Sequence, residues 1–242
     1  MAIRPRIYTS EQLALNTCLD LDSQASTHLI KVLRLNTGAE LRLFNGDGCE
    51  YLAHITVANK KNAQVEVSEV ISTDPKVKFP LHLGQVISKG DRMDFTIQKA
   101  TELGITDITP LWSERCDVRL KGERLEKKME HWKKVAISAC EQSGRNHIPT
   151  IHPAMTYHEW ASSVVADTKL VLHTRDQKPL SEISPPTSVA LLVGPEGGIT
   201  DEEVSLCIQQ GFTGLTLGPR ILRTETAALA ALSLFQYLWG DF

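Results

Sequence analysis

Several common signatures are missing from this 242-residue chain, and each absence removes a class of function. It has no G-x-x-x-x-G-K-[ST] and no G-x-G-x-x-G after a strand, so a nucleotide triphosphatase is a poor reading. It has no C-x-x-C. The five cysteines, Cys18, Cys49, Cys116, Cys140 and Cys207, are odd in number and widely spaced. That pattern fits a reducing compartment and gives no zinc signature. The eight histidines form no H-E-x-x-H and no cluster with cysteine, so no metal is expected. The opening MAIRPRIYTS carries two arginines but no apolar core, and no signal peptide is read from it. No apolar run reaches membrane-spanning length. The expected location is the cytoplasm. A net charge of -3 excludes a chain coated in basic charge and leaves room for a local basic face.

What is present is the composition of a soluble globular protein, 42% hydrophobic and 23% charged, with length for one large or two modest domains. Residues 1–72 read mainly as β. Ala39 to Phe44, Cys49 to Val57 and Ala63 to Val70 alternate apolar with polar residues. Asn45-Gly46-Asp47-Gly48 is a hairpin turn signal, and Asn59 to Asn62 is a second turn. His28 to Leu35 reads as the one short helix. Several short strands around a small helix imply a small barrel. Arg4, Arg6, His28, Lys31 and Arg34 form a cationic group that favours RNA phosphates, although each alone also fits a solvated surface. Residues 73–80, with two prolines, read as a linker.

From residue 81 to 242 the pattern becomes strands alternating with helices. The predicted strands are Leu81–Ile87, Ile105–Leu111, Pro149–Pro153, Lys169–His173, Val189–Val193 and Thr213–Leu217. Alternation of this kind implies an α/β unit, a mainly parallel sheet with helices on both faces. Lys89–Gly104 and Gly122–Gly144 read as amphipathic helices. The second carries cations (Arg124, Lys127, Lys128, His131, Lys134) that suit either RNA or a solvated face neutralised by its glutamates. The last helix, Thr226–Trp239, is apolar nearly all round, so it must be buried in the core or in a dimer face.

The stretch Val189 to Glu225 is the most informative. Two apolar strands each run into a glycine- and proline-stiffened loop, Gly194-Pro195-Glu196-Gly197-Gly198 and Gly218-Pro219-Arg220-Ile221-Leu222-Arg223. Between them Thr200 and Glu203 form a capping box, and Gly211 stops the helix. Ligands of open α/β sheets bind beyond the carboxyl ends of the strands. A Gly-Pro turn can be only a turn. The second loop shifts the balance, because structural loops rarely need Arg220, Arg223 and Glu225 in so short a span.

GPEGGITDEE followed by LGPRILRTETA resembles the ribosomal RNA uridine-N3 methyltransferases of the RsmE type, within the knotted SPOUT class of S-adenosylmethionine enzymes. The resemblance covers nearly the whole chain. It extends to KGDRM and QKATELG, to EQSGR, and to the H-x-x-x-V-L-R motif at His28, Val32, Leu33 and Arg34. It implies a PUA-like RNA-binding barrel over residues 1–72, a trefoil-knotted methyltransferase domain over 81–242, a homodimer, and small-subunit ribosomal RNA, free or within the assembled 30S subunit, as partner. Periodicity alone shows no knot, and knots are rare. Lys89, Arg92 and Lys99, with Gln142, Ser143, Arg145 and Asn146 of the EQSGR segment, become candidate RNA or site-lining residues.

S-adenosylmethionine needs an apolar slot for adenine and close backbone approach, which glycines permit. The candidate set is Leu172, His173, Gly194, Pro195, Glu196, Gly197, Gly198, Leu217, Gly218, Arg220, Ile221 and Leu222. His173-Thr174-Arg175 supplies the first of three cofactor loops by chain order. Methyl transfer is mostly positioning. Uridine N3 must also lose its proton, which calls for a base and for a cation beside the uracil oxygens. Arg223 is assigned as the anion stabiliser. Glu225 is assigned as the base or as the residue orienting Arg223, with a loop-shaping salt bridge as the bland alternative. Two other readings stand beside this one: the same fold acting on another RNA such as tRNA, and an RNA-binding assembly factor without catalysis. The intact glycine loops and Arg223/Glu225 weigh against the second.

Overall fold

Alternation of apolar and polar residues turns the start of the chain into short strands: β1 (Arg6–Tyr8), β2 (Cys18–Asp20), β3 (Glu40–Phe44), β4 (Cys49–Val57) and β5 (Gln64–Thr73). The computed structural model describes residues 4–75, 77–173 and 177–242. They group into two units, one of Met1–Lys76 with Cys140–Ile148 and one of Val77–Ala139 with Pro149–Phe242.

In the first unit the strands form one curled sheet in the order β1-β3-β4-β5-β2. β1 and β3 are parallel and the other pairs antiparallel. Register shifts at Glu50/Tyr51, Leu52/Ala53 and Ile55/Val57 mark bulges, which increase local bend and twist. Alternate residues, among them Leu41, Leu43, Ala53, Ile55, Val65 and Val67, are fully buried and form its core. The expected hairpin joins β3 to β4. Gly46 and Gly48 both have positive φ, and a Cβ on Gly48 would lie 2.7 Å from the His147 ring. The helix differs from expectation. It begins earlier, as α1 (Ser23–Thr27), because the Asp22 carboxylate accepts from the Gln24 and Ala25 amides at 2.8 Å. It then widens into a π turn over His28–Val32.

Arg6 and Asn146 require correction as surface RNA contacts. Arg6 is 8% exposed. Its guanidinium donates to Glu50 at 2.6 Å, to the Cys140 and Arg145 carbonyls, and to Asn146 Oδ1, and it lies over the Phe44 ring. Asn146 is fully enclosed in the same network, its amide held by Asp74. Both side chains are saturated by internal partners and tie residues 140–148 to the β-sheet.

The second unit contains β6 (Leu81–Val86), α2 (Arg92–Glu102), β7 (Asp107–Trp112), most of α3 (Glu123–Ser143), β8 (Thr150–Ile151), β9 (Met155–Thr156), α4 (Tyr157–Ser163), β10 (Thr168–Leu172), β11 (Gln177–Pro179), β12 (Val189–Val193), α5 (Asp201–Gln209), β13 (Phe212–Thr216) and α6 (Thr224–Trp239). The sheet is parallel, in the order β11-β13-β10-β12-β6-β7-β8, with β9 also on β7. The short β9 and β11 carry no strand signal in sequence. Successive residues of β6 show helices on both faces. Gly84 leaves room for the Trp160 ring of α4, while Gln85 donates to Thr224 of α6 on the other side.

Asp94 of α2 accepts from Lys128, His131 and the Trp132 indole of α3. Burial pushes its carboxyl up, and the bonds from His131, Lys128 and Trp132 outweigh that and hold it below its usual value. Lys128 and His131 therefore serve helix packing, and Lys127 pairs with Glu123. Glu102, placed unfavourably at the C-terminus of α2, pairs with Lys99 at 2.7 Å. α6 starts two residues earlier than expected. It buries Ala228, Ala231, Leu232 and Phe235 and leaves Leu234, Tyr237 and Leu238 exposed.

Candidate functional site

The sheet order brings β13, β10 and β12 side by side, and their register aligns Leu172 with both Val193 and Leu215. The chain therefore leaves all three strands on one edge. The loop after β10 begins at His173; its next residues, Thr174 and Arg175, lie outside the described residues. The loop after β12 is Gly194–Thr200, and the loop after β13 runs from Leu217 to Arg223.

Together these loops enclose a cleft of about 680 Å³ lined by Leu172, His173, Gly194, Pro195, Glu196, Gly198, Ile221, Leu222 and Arg223, among others. A second cleft of about 480 Å³ shares Leu172, His173, Ile221 and Leu222 and adds Leu217, Gly218 and Arg220. The two bring together every residue in the candidate cofactor set except Gly197. Gly197 packs instead against Arg115, whose guanidinium donates to its carbonyl at 3.2 Å. Ile221 is 94% exposed at the rim, an apolar side chain without protein cover.

The glycines play different parts. Gly218 has φ +102°, and a Cβ there would enter open space. At Gly194 a Cβ would lie 2.9 Å from Ile199 Cγ2. Packing inside the loop, rather than ligand approach alone, excludes a side chain at Gly194, so Gly194→Val is a poor probe of binding.

Thr224, the first residue of α6, anchors the site. Its hydroxyl donates to the Gly194 carbonyl at 2.7 Å and accepts from Gln85 at 2.9 Å. It thereby fastens the loop after β12 to the start of α6. Arg223 is exposed and faces the first cleft. Glu225 does not pair with Arg223. Its Oε1 lies 4.0 Å from Arg92 Nε, and its Oε2 is buried without a hydrogen-bond partner. Arg92 also bonds Glu196 at 2.5 Å, so one guanidinium sits between two carboxylates. The site thus combines apolar walls, exposed backbone, four arginines (Arg92, Arg115, Arg220 and Arg223) and, next to it, the Glu225 carboxylate with one oxygen unbonded.

Arg115, Thr224 and Gln85 were not singled out from sequence. Gln85 left a signal, a fully buried polar residue in the apolar run LHLGQV. Arg115 left none. Of the expected RNA contacts, His28, Lys31, Arg34, Gln142 and Ser143 are exposed in the first unit. Arg145 is half-buried, its carbonyl accepting from Arg6. Arg4 is paired with Glu40 and Lys89 with Asp117, both on the surface. Among the described residues no helix is long and apolar enough to cross a membrane, and no group of three or more His, Cys, Asp or Glu side chains is placed to hold a metal.

Comparison with known proteins gives the same picture. The RNA methyltransferase domain family matches residues 75–236, and the RNA methyltransferase PUA domain family matches residues 21–68. The chain is 36% identical over 240 residues to the ribosomal RNA small subunit methyltransferase E of Buchnera aphidicola, covering 98% of this chain and 95% of the relative. It is 31% identical to that of Bacillus subtilis, covering 95% and 93%. Its fold matches the ribosomal RNA small subunit methyltransferase E of Neisseria gonorrhoeae bound to S-adenosyl methionine, with TM-score 0.94, 43% identity and coverage of 99% and 100%. It also matches a Legionella pneumophila methyltransferase solved with bound SAM, with TM-score 0.96, 41% identity and full coverage of both chains. With its curled N-terminal sheet, its parallel sheet and the loops gathered at one edge, the chain belongs to the ribosomal RNA small subunit methyltransferase E family.

Proposed function

We propose that this chain transfers a methyl group from S-adenosylmethionine to N3 of a uridine in small-subunit ribosomal RNA. The observation that carries this reading is the joined cleft beyond β10, β12 and β13, which Arg223 lines, two residues before Glu225. The residues present fit the cofactor. Leu172, Leu217, Ile221 and Leu222 offer apolar walls for adenine, and the open space beside Gly218 admits a ligand against the backbone. When bound, the cofactor supplies an electrophilic methyl group on a sulfonium centre.

The chain's own residues do the rest. The loops hold both reactants in line, where most of the rate advantage of such a displacement arises. Arg223 offers its guanidinium to the uracil oxygens and stabilises the anion left when N3 gives up its proton. Glu225 takes that proton directly or through water and frees the N3 electron pair to accept a methyl group, whose bond to sulfur would break with its electrons staying on sulfur. Residues 81–242 form the catalytic domain, 73–80 the link, and 1–72 the RNA grip. Within that grip His28 and Lys31 stand exposed on the π turn and Arg34 stands exposed just after it. Arg34 adopts φ +57°, a conformation that favours glycine, and strain of this kind clusters at functional positions. A second copy of the chain is the expected cover for Leu234, Tyr237 and Leu238 on α6.

The test is nucleoside analysis of ribosomal RNA incubated with the purified protein and methyl-labelled cofactor. The label is expected in 3-methyluridine of the small-subunit RNA. Label in another nucleoside, in tRNA only, or nowhere overturns the reading.

A further inference from the structure

A separate cleft of about 630 Å³ lies between the start of α2 and the first turn of α6, lined by Lys89, Gly90, Asp91, Arg92, Phe95, Glu225 and Thr226. We propose that this cleft seats the acceptor base and that Phe95 is the platform on which the base stacks; the proposal rests on the uridine reading above. Arg92 lines this cleft and the first one alike, so the two spaces adjoin at one residue. A methyl donor in one and its acceptor in the other are neighbours there.

Phe95 is 46% exposed, an aromatic ring uncovered at the edge of this cleft. It stands one helical turn after Arg92, on the same side of α2. A base turned out of an RNA strand needs such a surface, because its π-face must be covered once it leaves the stack. Stacking alone reads no sequence. The edge pattern comes from the other residues. The imide of uracil presents one N–H donor between two carbonyl acceptors. Glu225 supplies a carboxylate 4.0 Å from the Arg92 guanidinium, and Lys89, which pairs with Asp117, lines the same cleft. An acceptor and cationic donors at one cleft match the imide in kind, and Arg223, two residues before Glu225, borders it from the first cleft.

α2 and α6 both begin at this cleft, and neither N-cap residue, Asp91 or Arg223, makes a side-chain capping bond. The positive ends of two helices therefore bear on one small volume and offset the Asp91 and Glu225 carboxylates that also line it.

The experiment uses the full-length protein and small-subunit RNA carrying 5-bromouridine at the mapped methylation position. Irradiation is expected to crosslink the RNA to the peptide containing Phe95. Phe95→Ala should leave cofactor affinity by calorimetry unchanged. It should raise the RNA concentration at half-maximal single-turnover rate by about fivefold to a hundredfold, the range for removal of one base–aromatic stack. Phe95→Trp should restore the rate, and Phe95→Leu, apolar but not aromatic, should not. Three results overturn the proposal: a crosslink that maps away from α2, wild-type behaviour in both Phe95→Ala and Phe95→Leu, or a lower sedimentation coefficient in Phe95→Ala with no crosslink at Phe95, which would make the ring a contact between copies. Label in a base other than uridine, with the Phe95 crosslink and the tryptophan rescue intact, fells the uridine reading and leaves the platform standing.

Discussion

Arg223 stands exposed at the N-terminus of α6, with no side-chain partner among the described residues. An arginine placed so carries no structural duty that its removal would disturb. Arg223→Ala is therefore expected to slow single-turnover methylation by about 10²–10³, the usual cost of one oxyanion-type donor, while cofactor affinity stays nearly unchanged. Arg223→Lys recovers little if the planar fork is needed and more if charge alone suffices. Glu225 is 14% exposed and has one carboxylate oxygen without a partner. Glu225→Gln should slow the step most near neutral pH and regain part of the rate as pH rises, because more of the uridine is already deprotonated. Rates measured against pH, beside calorimetry, check both variants. A loss of cofactor binding in step with rate reassigns the pair to loop shape. Arg6 shows the limit of reading charge from sequence. It has the same residue type as Arg4 two positions earlier, yet only Arg6 is enclosed by Glu50, Asn146 and two carbonyls.

Among the elements, α6 matters most to the site because its first residue is also a fastener. Thr224 joins Gln85 on β6 to the loop after β12. Thr224→Val keeps the shape and removes both bonds. It leaves the Gly194 carbonyl and the Gln85 amide short of a partner, and a buried group so stranded costs about 1–3 kcal/mol. The expected outcome is a lower melting temperature together with weaker cofactor binding by calorimetry, since the freed loop lines the cleft. Unchanged affinity would show that the loop holds its shape alone. The helix α5 was legible in the sequence because its capping box is local, with Thr200 and Glu203 bonding reciprocally within one turn. The π turn at His28–Val32 was not legible. It depends on Asp22 starting the helix early and on the burial of Leu29.

Across the molecule, stability and RNA affinity should each answer to solution conditions in a defined direction. His82 packs against His152 and Trp160, and burial lowers its pKa to about 4; Asp107 works against that shift and His152 adds to it. The unfolded chain, with an ordinary histidine value of 6.5, binds a proton that the folded chain refuses. Stability from this group is present above pH 6.5 and is lost as pH falls toward 4, by at most about 1.4 kcal/mol per pH unit. Urea midpoints across that window should fall in the wild type and fall less in His82→Gln. RNA affinity should weaken as salt rises, because bound cationic side chains displace counterions from the phosphates. Replacing Lys31 and Arg34 together by alanine should reduce the slope of log affinity against log salt by about 2, roughly one for each phosphate no longer neutralised.

The sequence by itself determined what depends on near neighbours. Alternation set the strands, Asn45–Gly48 set the hairpin, Thr200 and Glu203 set a helix start, and the two Gly-Pro loops marked the edge where the cleft forms. Only the tertiary structure decided which charges face solvent, that Arg92 stands between Glu196 and Glu225, that Phe95 lies open beside them, and that residues 140–148 pack with the N-terminal strands. Hydrophobic period and capping act over a few residues and can be read along the chain. The partner that buries or frees a given side chain lies about a hundred positions away, as Glu196 does from Arg92, and folding alone brings the two together.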